Sequence, residues 1–302
     1  MSVFVCGATG TQGGAIAKYL HEKGIKVHTV TRTPLSTQAQ HLRALGADVT
    51  MGNYDNEASL RASLANCTGL FLNMVPDLQN PDNEVIRGKR LLTLAKEAGI
   101  KHVVYSSAFA VNEPHKIRTF TPTGFMGRLL LAKQALENEV RTLGFERWTI
   151  LRPGNFMTNF LAPMVHMYSG LVDKACWVTA WTTETKIPLV DPMDIGKLGA
   201  MALTDGRFHG EEIEIAGELL TVEEIVTELG KATGRELKAA YLTDEEIEAQ
   251  AAVNPLIQAQ LAMRDMAQFA NVERTREWNV EPGTFERFLE REKDNVMKTF
   301  ST

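Results

Sequence analysis

The chain is poor in cysteine, in positive charge and in long apolar runs, and each shortage excludes something. Three cysteines in 302 residues (Cys6, Cys67 and Cys176) are too scattered for a disulfide framework or a C-x-x-C zinc site. A reducing, cytoplasmic setting is therefore expected. The 32 basic residues fall short of the 37 acidic ones, giving a net charge of −5. Without a cationic excess to grip a phosphate backbone, direct nucleic-acid binding is not expected. No apolar run reaches the ~18 residues of a membrane span. The opening MSVFVCGATG lacks the basic region of a signal peptide. No His, Cys, Asp and Glu spacing suggests a metal site, and neither a G-x-S-x-G elbow nor a Walker loop occurs. What is abundant is core-forming material. Hydrophobic residues make up 44% of the chain, and its length predicts about two domains at ~150 residues each.

Short apolar runs alternate with helical patterns through the first half. Strands are expected at 3–6, 26–31, 48–51, 70–73, 102–106 and 148–151. Helices are expected near 12–23, 36–45, 57–65, 83–98 and 125–143. Four- to six-residue strands without polar alternation are the kind buried on both faces of a parallel sheet. The order predicts a doubly wound α/β domain over 1–153. Beyond Pro153 the rhythm breaks. Strands are expected only at 187–190 and 212–215, and helices near 193–204, 221–233, 243–269 and 283–297. Residues 154–302 are therefore read as a smaller, mostly helical substrate-binding region whose late elements return to the sheet. Acids at 244–248 open one of its helices, which complements the helix dipole.

The first strand runs into Gly7-Ala8-Thr9-Gly10-Thr11-Gln12-Gly13-Gly14, and a helix follows. Gly7 permits a tight turn. Gly10 removes a β-carbon where a pyrophosphate must approach, and Gly13 lets the helix lie close to the sheet. Free N–H groups of Thr9, Thr11 and Gln12 and the positive end of the helix dipole would then meet the phosphates. A G-x-x-G-x-x-G that follows a strand and opens a helix has the context of a dinucleotide fingerprint. A ribose with a free 2′-hydroxyl is usually held by an acid about 20 residues further on. Here no acid lies between Glu22 and Asp48, and Arg32 occupies that place. A guanidinium suits a 2′-phosphate, so NADP(H) is the expected cofactor. The other strand ends should also face it: Asn53 toward adenine, Asn73, Met74 and Pro76 along the middle, Ser106 beside it, and Pro153, Gly154, Asn155 and Phe156 behind the nicotinamide.

With these residues in hand, the chain resembles the NmrA-like group of atypical short-chain dehydrogenases/reductases. The resemblance rests on GATGTQGG at 7–14, TRTP at 31–34, HVVYSS at 102–107, the helix holding Lys133, LRPGNFMTNF at 151–160, VDPMDIG at 190–196 and YLTDEEIE at 241–248. It implies a Rossmann domain, a small C-terminal domain and NADP(H) or NAD binding. It also implies one of two kinds of activity, since the group contains quinone, isoflavone-type and benzylic ether reductases as well as regulators without turnover.

Ordinary short-chain dehydrogenases carry Tyr-x-x-x-Lys on one helix, the tyrosine giving a proton and the lysine holding the nicotinamide ribose. The only such spacing here, Tyr19 with Lys23, lies in the helix after the glycine loop and is set aside. In the helix where the pair belongs, Lys133 is present but Leu129 replaces the tyrosine. The reductases resembled imply Lys133 as ribose contact and proton relay. Ser107 is the next candidate, orienting a substrate oxygen. Alternation turns Tyr105 away from the face of Ser106. Segments 108–124 and 155–185 should roof a substrate pocket, with Phe109, Phe120, Phe125, Phe156, Phe160, Met157, Met164, Met167, Tyr168, Trp177 and Trp181 suiting a flat apolar ligand, while about half of these residues are expected to form the core of the small domain instead. His115 and His166 are further polar candidates.

Two functional classes follow. One is an NADPH-dependent reductase of a small apolar, aromatic or polycyclic substrate (quinone, enone, ketone or imine). The other is a non-redox NADP(H)-binding protein, either a redox sensor with a regulatory protein partner or a cyclase or isomerase. A monomer or homodimer is expected.

Overall fold

A computed structural model describes residues 1–77 and 79–301; Thr302, the last residue of the expected second domain, lies outside the described residues. Strands β1 (Ser2–Val5), β2 (Lys26–Thr31), β3 (Asp48–Met51), β4 (Gly69–Leu72), β5 (His102–Ser106) and β6 (Arg147–Pro153) alternate with helices α1 (Thr11–Glu22), α2 (Thr37–Ala44), α3 (Glu57–Leu64), α4 (Asp82–Glu97) and α5 (Phe125–Thr142). There follow β7 (Asn155–Phe156), β8 (Cys176–Thr179), β9 (Ile187–Val190), α6 (Pro192–Thr204), β10 (Glu212–Ile215), β11 (Glu218–Leu220), α7 (Val222–Thr233) and β12 (Lys238–Tyr241). Helices α8 (Asp244–Ala251), α9 (Pro255–Met263), α10 (Val272–Arg276), α11 (Phe285–Arg291) and α12 (Lys293–Phe300) complete the chain. Two compact units result. The first takes in Met1–Val111, Leu129–Arg152 and Pro192–Ile213, and the second Asn112–Arg128, Pro153–Asp191 and the chain from Glu214 onward.

The seven-stranded sheet has the order β10-β6-β5-β4-β1-β2-β3. The pairings from β3 to β6 are all parallel. The amide of Ile150 bonds the carbonyl of Glu211, and Gly154 that of Ile215, so β10 also runs alongside β6 in the same sense. The chain winds outward from β1 to β3, then returns to β4 and winds the other way. This is a doubly wound Rossmann-type sheet with its switch point between β1 and β4, beyond whose carboxyl ends ligands bind. Strands β4 and β5 are buried along their whole length, as their apolar runs require. In α1, the buried Gly13, Ile16, Ala17 and Leu20 fall on one stripe of a 3.6-residue repeat. Helix α6 crosses α1 at near-backbone distance: a β-carbon on Gly196 would stand 2.7 Å from that of Ala15.

The second unit holds a three-stranded sheet, β11-β9-β7, and a parallel pair, β12-β8. Its core takes up part of the expected pocket roof. Phe160 stacks on Tyr168 at 4.6 Å, and Trp177 meets Trp181 edge-on at 5.1 Å. With Met157 and Phe285 these rings pack into a single buried cluster. Five of the supposed pocket residues (Met157, Phe160, Tyr168, Trp177 and Trp181) are thus core, because ring edges and faces satisfy one another there. Phe109 is buried too, whereas Phe120, Phe125, Phe156 and Met167 are half-buried and Met164, His115 and His166 exposed.

The stretch 243–269, expected as one helix, breaks into α8, α9 and a final 3-10 turn. Asn254 caps α9 and Pro255 opens it, a pairing that starts a new helix rather than continuing an old one. Likewise 283–297 divides into α11 and α12 at Glu292. Strands β7, β8, β11 and β12 were not expected. No helix among the described residues is long and apolar enough to cross a membrane.

His102 opens β5 and bonds the carbonyl of Leu203 through Nδ1 at 3.0 Å. Burial first, and the nearby Arg147 charge next, push its pKa down to about 4. An unfolded histidine titrates near 6.5, so the unfolded chain takes the proton first. The stability carried by neutral His102 is complete above about pH 6.5 and is lost as pH falls toward 4. Urea unfolding at about pH 7.5 and about pH 4.5 should therefore show a larger acid loss for wild type than for His102→Gln; equal losses would remove His102 from the acid response.

Candidate functional site

The carboxyl ends of β1, β4 and β5 converge on the glycine loop. Gly7 turns out of β1 with φ +61°, and its carbonyl accepts from the Gly10 amide at 2.8 Å. The three glycines differ in what requires them. A β-carbon on Gly13 would lie 2.3 Å from the Gly7 carbonyl oxygen and 2.5 Å from that of Cys6, so packing alone demands glycine. A β-carbon on Gly10 would meet only the Gly7 oxygen at 3.4 Å. The space above Gly10 is therefore open, and the chain's own packing does little to require glycine there.

Helix α1 begins at that opening. Gly10 is its N-cap and offers no side chain, and no acid lies in the first turn. Among the described residues, the amides of Thr11, Gln12 and Gly13 have no acceptor. Three unpaired N–H groups, the positive end of a helix and a gap over Gly10 together fit a pyrophosphate. Thr9 lies within the turn that leads to them.

The surrounding strand ends are tied to the loop. Ser106 Oγ donates to Gln12 Oε1 at 2.6 Å, and Gln12 Nε2 reaches Asn73 Oδ1 at 3.5 Å. Both expected neighbours of the loop are thus brought to it through Gln12. Tyr54, which the sequence reading passed over for Asn53, accepts from the Gly7 amide at 2.9 Å. Burial raises its phenol well above the usual range, with a further rise from Cys6. Arg90 holds the Tyr54 carbonyl at 3.1 Å, and Arg87 and Arg90 both bind Asp55. The signal available was position: Tyr54 follows β3 by three residues and so belongs to a strand end at the carboxyl edge.

Other expected contacts look different in place. Asn53 is exposed, and its Oδ1 accepts from the amides of Asp55 and Asn56 at 2.8 and 3.0 Å. Its carbonyl is committed to the local turn, leaving its NH2 for any ligand. Met74 is buried in the first unit's core, so its side chain packs inward. Pro76 is half-buried. Arg32 is exposed just past β2, with no hydrogen bond or ion pair among the described residues, and its charge acts on Tyr54. In the second unit, Pro153 is buried at the end of β6, and a β-carbon on Gly154 would come 2.5 Å from the Pro188 oxygen. Asn155 donates to the Tyr168 hydroxyl at 3.3 Å, and Phe156 pairs with Val190 in the register of β7 and β9.

Lys133 lies on α5, and its Nζ bonds Glu84 Oε1 at 2.9 Å. It stands in an ion pair rather than as an isolated amine. Glu84 lies in the first turn of α4, and no motif in the sequence marks it. Ser107 donates its amide to the Leu151 carbonyl at 2.8 Å, while its buried Oγ has no hydrogen-bond partner among the described residues. Tyr105 is fully buried on the other face from Ser106, as alternation required, and burial together with the charges of Glu84 and Glu137 holds its phenol well above the usual range. The thiols do not belong to the chemistry. Burial pushes Cys6 up to about 12 and Cys67 up to about 11, so both stay protonated. Among the described residues, no group of three or more His, Cys, Asp and Glu is placed to hold a metal.

The unequal demands on the glycines are measurable. Gly13→Ala should lower unfolding stability by about 1–3 kcal/mol, the usual cost of overpacking. Gly10→Ala should change it by less than about 0.5 kcal/mol. Matching losses in chemical unfolding would contradict the geometry.

Comparison with known proteins places the chain. A (4-alkanoyl-5-oxo-2,5-dihydrofuran-3-yl)methyl phosphate reductase of Streptomyces griseus subsp. griseus is 29% identical over 239 residues, covering 78% of this chain and 75% of the relative. An NAD(P)H azoreductase of Xenophilus azovorans is 26% identical over 247 residues, covering 81% and 78%. The structure of Citrobacter sp. triphenylmethane reductase complexed with NADP(H) matches in fold, with a TM-score of 0.74 at 18% identity over 96% of this chain and 99% of that one. The profile of the NmrA-like family matches residues 1–295, and the chain belongs to that family.

Proposed function

We propose that this protein is an NADPH-dependent reductase of a small apolar substrate, aromatic or polycyclic, such as a quinone, enone, ketone or imine. The observation that carries the reading is the first turn of α1, with three amides lacking acceptors and a gap over Gly10 that packing does not explain. The reductase names of the two relatives, and the NADP(H) in the matching Citrobacter structure, support the same class.

The roles follow from each residue's surroundings. The amides of Thr11, Gln12 and Gly13 hold the pyrophosphate, and Gly7 and Gly10 shape the cradle. Ser106, through Gln12, keeps the loop registered against β5. Arg32 meets the 2′-phosphate, since no acid stands at that strand end to prefer a free hydroxyl. Asn53, Asn73, Met74 and Pro76 flank the adenosine and pyrophosphate, and Pro153, Gly154, Asn155 and Phe156 belong to the nicotinamide side. When bound, the cofactor supplies hydride to the substrate. The chain supplies orientation and a proton. Lys133 carries N–H donors for the ribose hydroxyls and for the oxygen or nitrogen that gains negative character, and Ser107 Oγ, a buried hydroxyl that interacts with the Tyr105 phenol, is the next group to orient that atom.

One observation favours the alternative, a nucleotide-holding regulator or a cyclase or isomerase. Leu129 occupies the place of the proton-donating tyrosine. NADPH oxidation with a quinone, an enone and a cyclic imine separates the two. A reductase turns over at least one of them, and Lys133→Ala lowers kcat by about 10²-fold or more. Tight nucleotide binding without turnover on any of them selects the alternative.

Arg32→Ala tests the nucleotide specificity separately. NADPH affinity should fall by about 1.5–3 kcal/mol, the worth of a charge-assisted contact. NADH affinity should hardly move. Calorimetry giving equal losses for the two would refute the 2′-phosphate contact.

A further inference from the structure

We propose that Glu84 is a positioning residue, whose buried carboxylate fixes the Lys133 ammonium for its work on the nicotinamide ribose and the substrate. The proposal rests on the reading of Lys133 given above.

The geometry is specific. Glu84 opens α4 and Lys133 lies midway along α5, and the two meet at 2.9 Å with the Glu84 side chain 0% and the Lys133 side chain 13% exposed. A lysine side chain has four rotatable carbons and a point charge, so a free one samples many places. Anchoring it at one buried oxygen restricts where the ammonium can be. An ammonium has three N–H donors, and among the described residues one is spent on Glu84. Two remain for oxygens outside the chain.

Stability does not account for the pair. The same unit contains a second buried carboxylate, and the comparison is informative. Glu137 has both oxygens bonded to Arg152, at 2.9 and 2.7 Å, and Oε2 also takes Arg141 at 2.7 Å. Arg152 and Arg141 continue to Glu212, so two acids and two bases close on themselves. That is a network with its polar atoms satisfied. Glu84 is unlike it. Its Oε2 is buried with no hydrogen-bond partner among the described residues, and so are the hydroxyls of Tyr105 and Ser107. A half-satisfied polar layer is a worse core than an apolar one. Glu84 is also placed where its charge acts on Tyr105. A carboxylate kept at such a place, with its one bond to the lysine assigned to the chemistry, is explained by what it does to that lysine.

The test uses wild type, Glu84→Gln, Glu84→Asp, Lys133→Ala and the double variant Glu84→Gln/Lys133→Ala. Calorimetry gives the Kd for NADPH, and NADPH oxidation with a quinone gives kcat and KM. Glu84→Gln should raise the NADPH Kd about tenfold, within the range measured for residues in direct contact, and should lower kcat more than it changes the quinone KM. The shortened carboxylate of Glu84→Asp should fall between wild type and Gln. The double variant should be no worse than Lys133→Ala, because Glu84 acts through Lys133. A folded Glu84→Gln with wild-type Kd and kcat, or losses that add fully in the double variant, overturns the proposal and makes the pair a clip between α4 and α5. If Glu84→Gln does not fold, Glu84→Asp decides: values equal to wild type in both Kd and kcat also overturn it. Wild type that binds no NADPH defeats the dinucleotide reading itself, and this proposal with it. Wild type that binds while the variants match it defeats this proposal alone.

Discussion

The arrangement depends on how closely the first turn of α1 rests on the end of β1. Gly13 sits against the carbonyls of Cys6 and Gly7, nearer than any side chain allows. That contact fixes the helix axis relative to the sheet, and other features inherit its geometry. Ala15 and Ile16, one turn along, meet α6 at Gly196 and Gly199, where added β-carbons would lie 2.7 and 2.2 Å away. Helix α1 is thus seated from two sides by glycines, one on its own turn and two on α6. The amides at its start have no capping side chain because the N-cap is Gly10. The N–H groups are thereby left without a partner, and the space over Gly10 lets something else use them.

Around that seat, polar residues brace the loop from below. Tyr54 receives the Gly7 amide, and Arg87 and Arg90 hold the turn that presents Tyr54. Gln12 joins Ser106 on one side and Asn73 on the other. None of these contacts adds much stability where it is partly exposed. Their effect is to keep three strand ends in register with one loop, which a preorganised anion site needs more than it needs strength.

The sheet was largely legible in sequence, and the reason is physical. Parallel strands buried on both faces read as short apolar runs, and β5 has the bounds expected of it on that ground; β2, β3, β9 and β10 also keep their expected bounds, although β3 is largely exposed and β10 alternates buried with half-buried residues. β7 and β11 are two and three residues long, and β12 is Lys238–Tyr241, half exposed. Such strands exist because a partner lies beside them, and no run announces them. The aromatic residues between 155 and 185 mislead for a related reason. Composition measures how much apolar surface a segment carries, and a pocket wall and a small core need the same residues. Only the ring contacts of Phe160, Tyr168, Trp177 and Trp181 separate the two. The loop motif was legible because its residues are consecutive. Glu84 and Lys133 are 49 positions apart, and Gly7 and Tyr54 are 47 apart. Nothing local marks either pair.

The missing tyrosine makes the remaining hydroxyls worth weighing against each other. Tyr105 is the phenol nearest Ser107 in sequence, yet it is fully buried, and burial with the Glu84 and Glu137 charges holds its proton tightly. An acid whose pKa lies far above the working pH is a poor donor in a transition state. Tyr54 is raised in the same way and already receives the Gly7 amide. Tyr168 sits at about 12 within the second unit's core and receives Asn155. Each phenol is therefore committed to packing, to the loop or to both. Apart from the phenols, the candidates the chain offers are Lys133 on α5, held by the Glu84 carboxylate, and the buried Ser107 hydroxyl just past β5. On the proposed reductase reading, Lys133 takes the acid role for which Leu129 offers no group, and the carboxylate that anchors it matters for that reason.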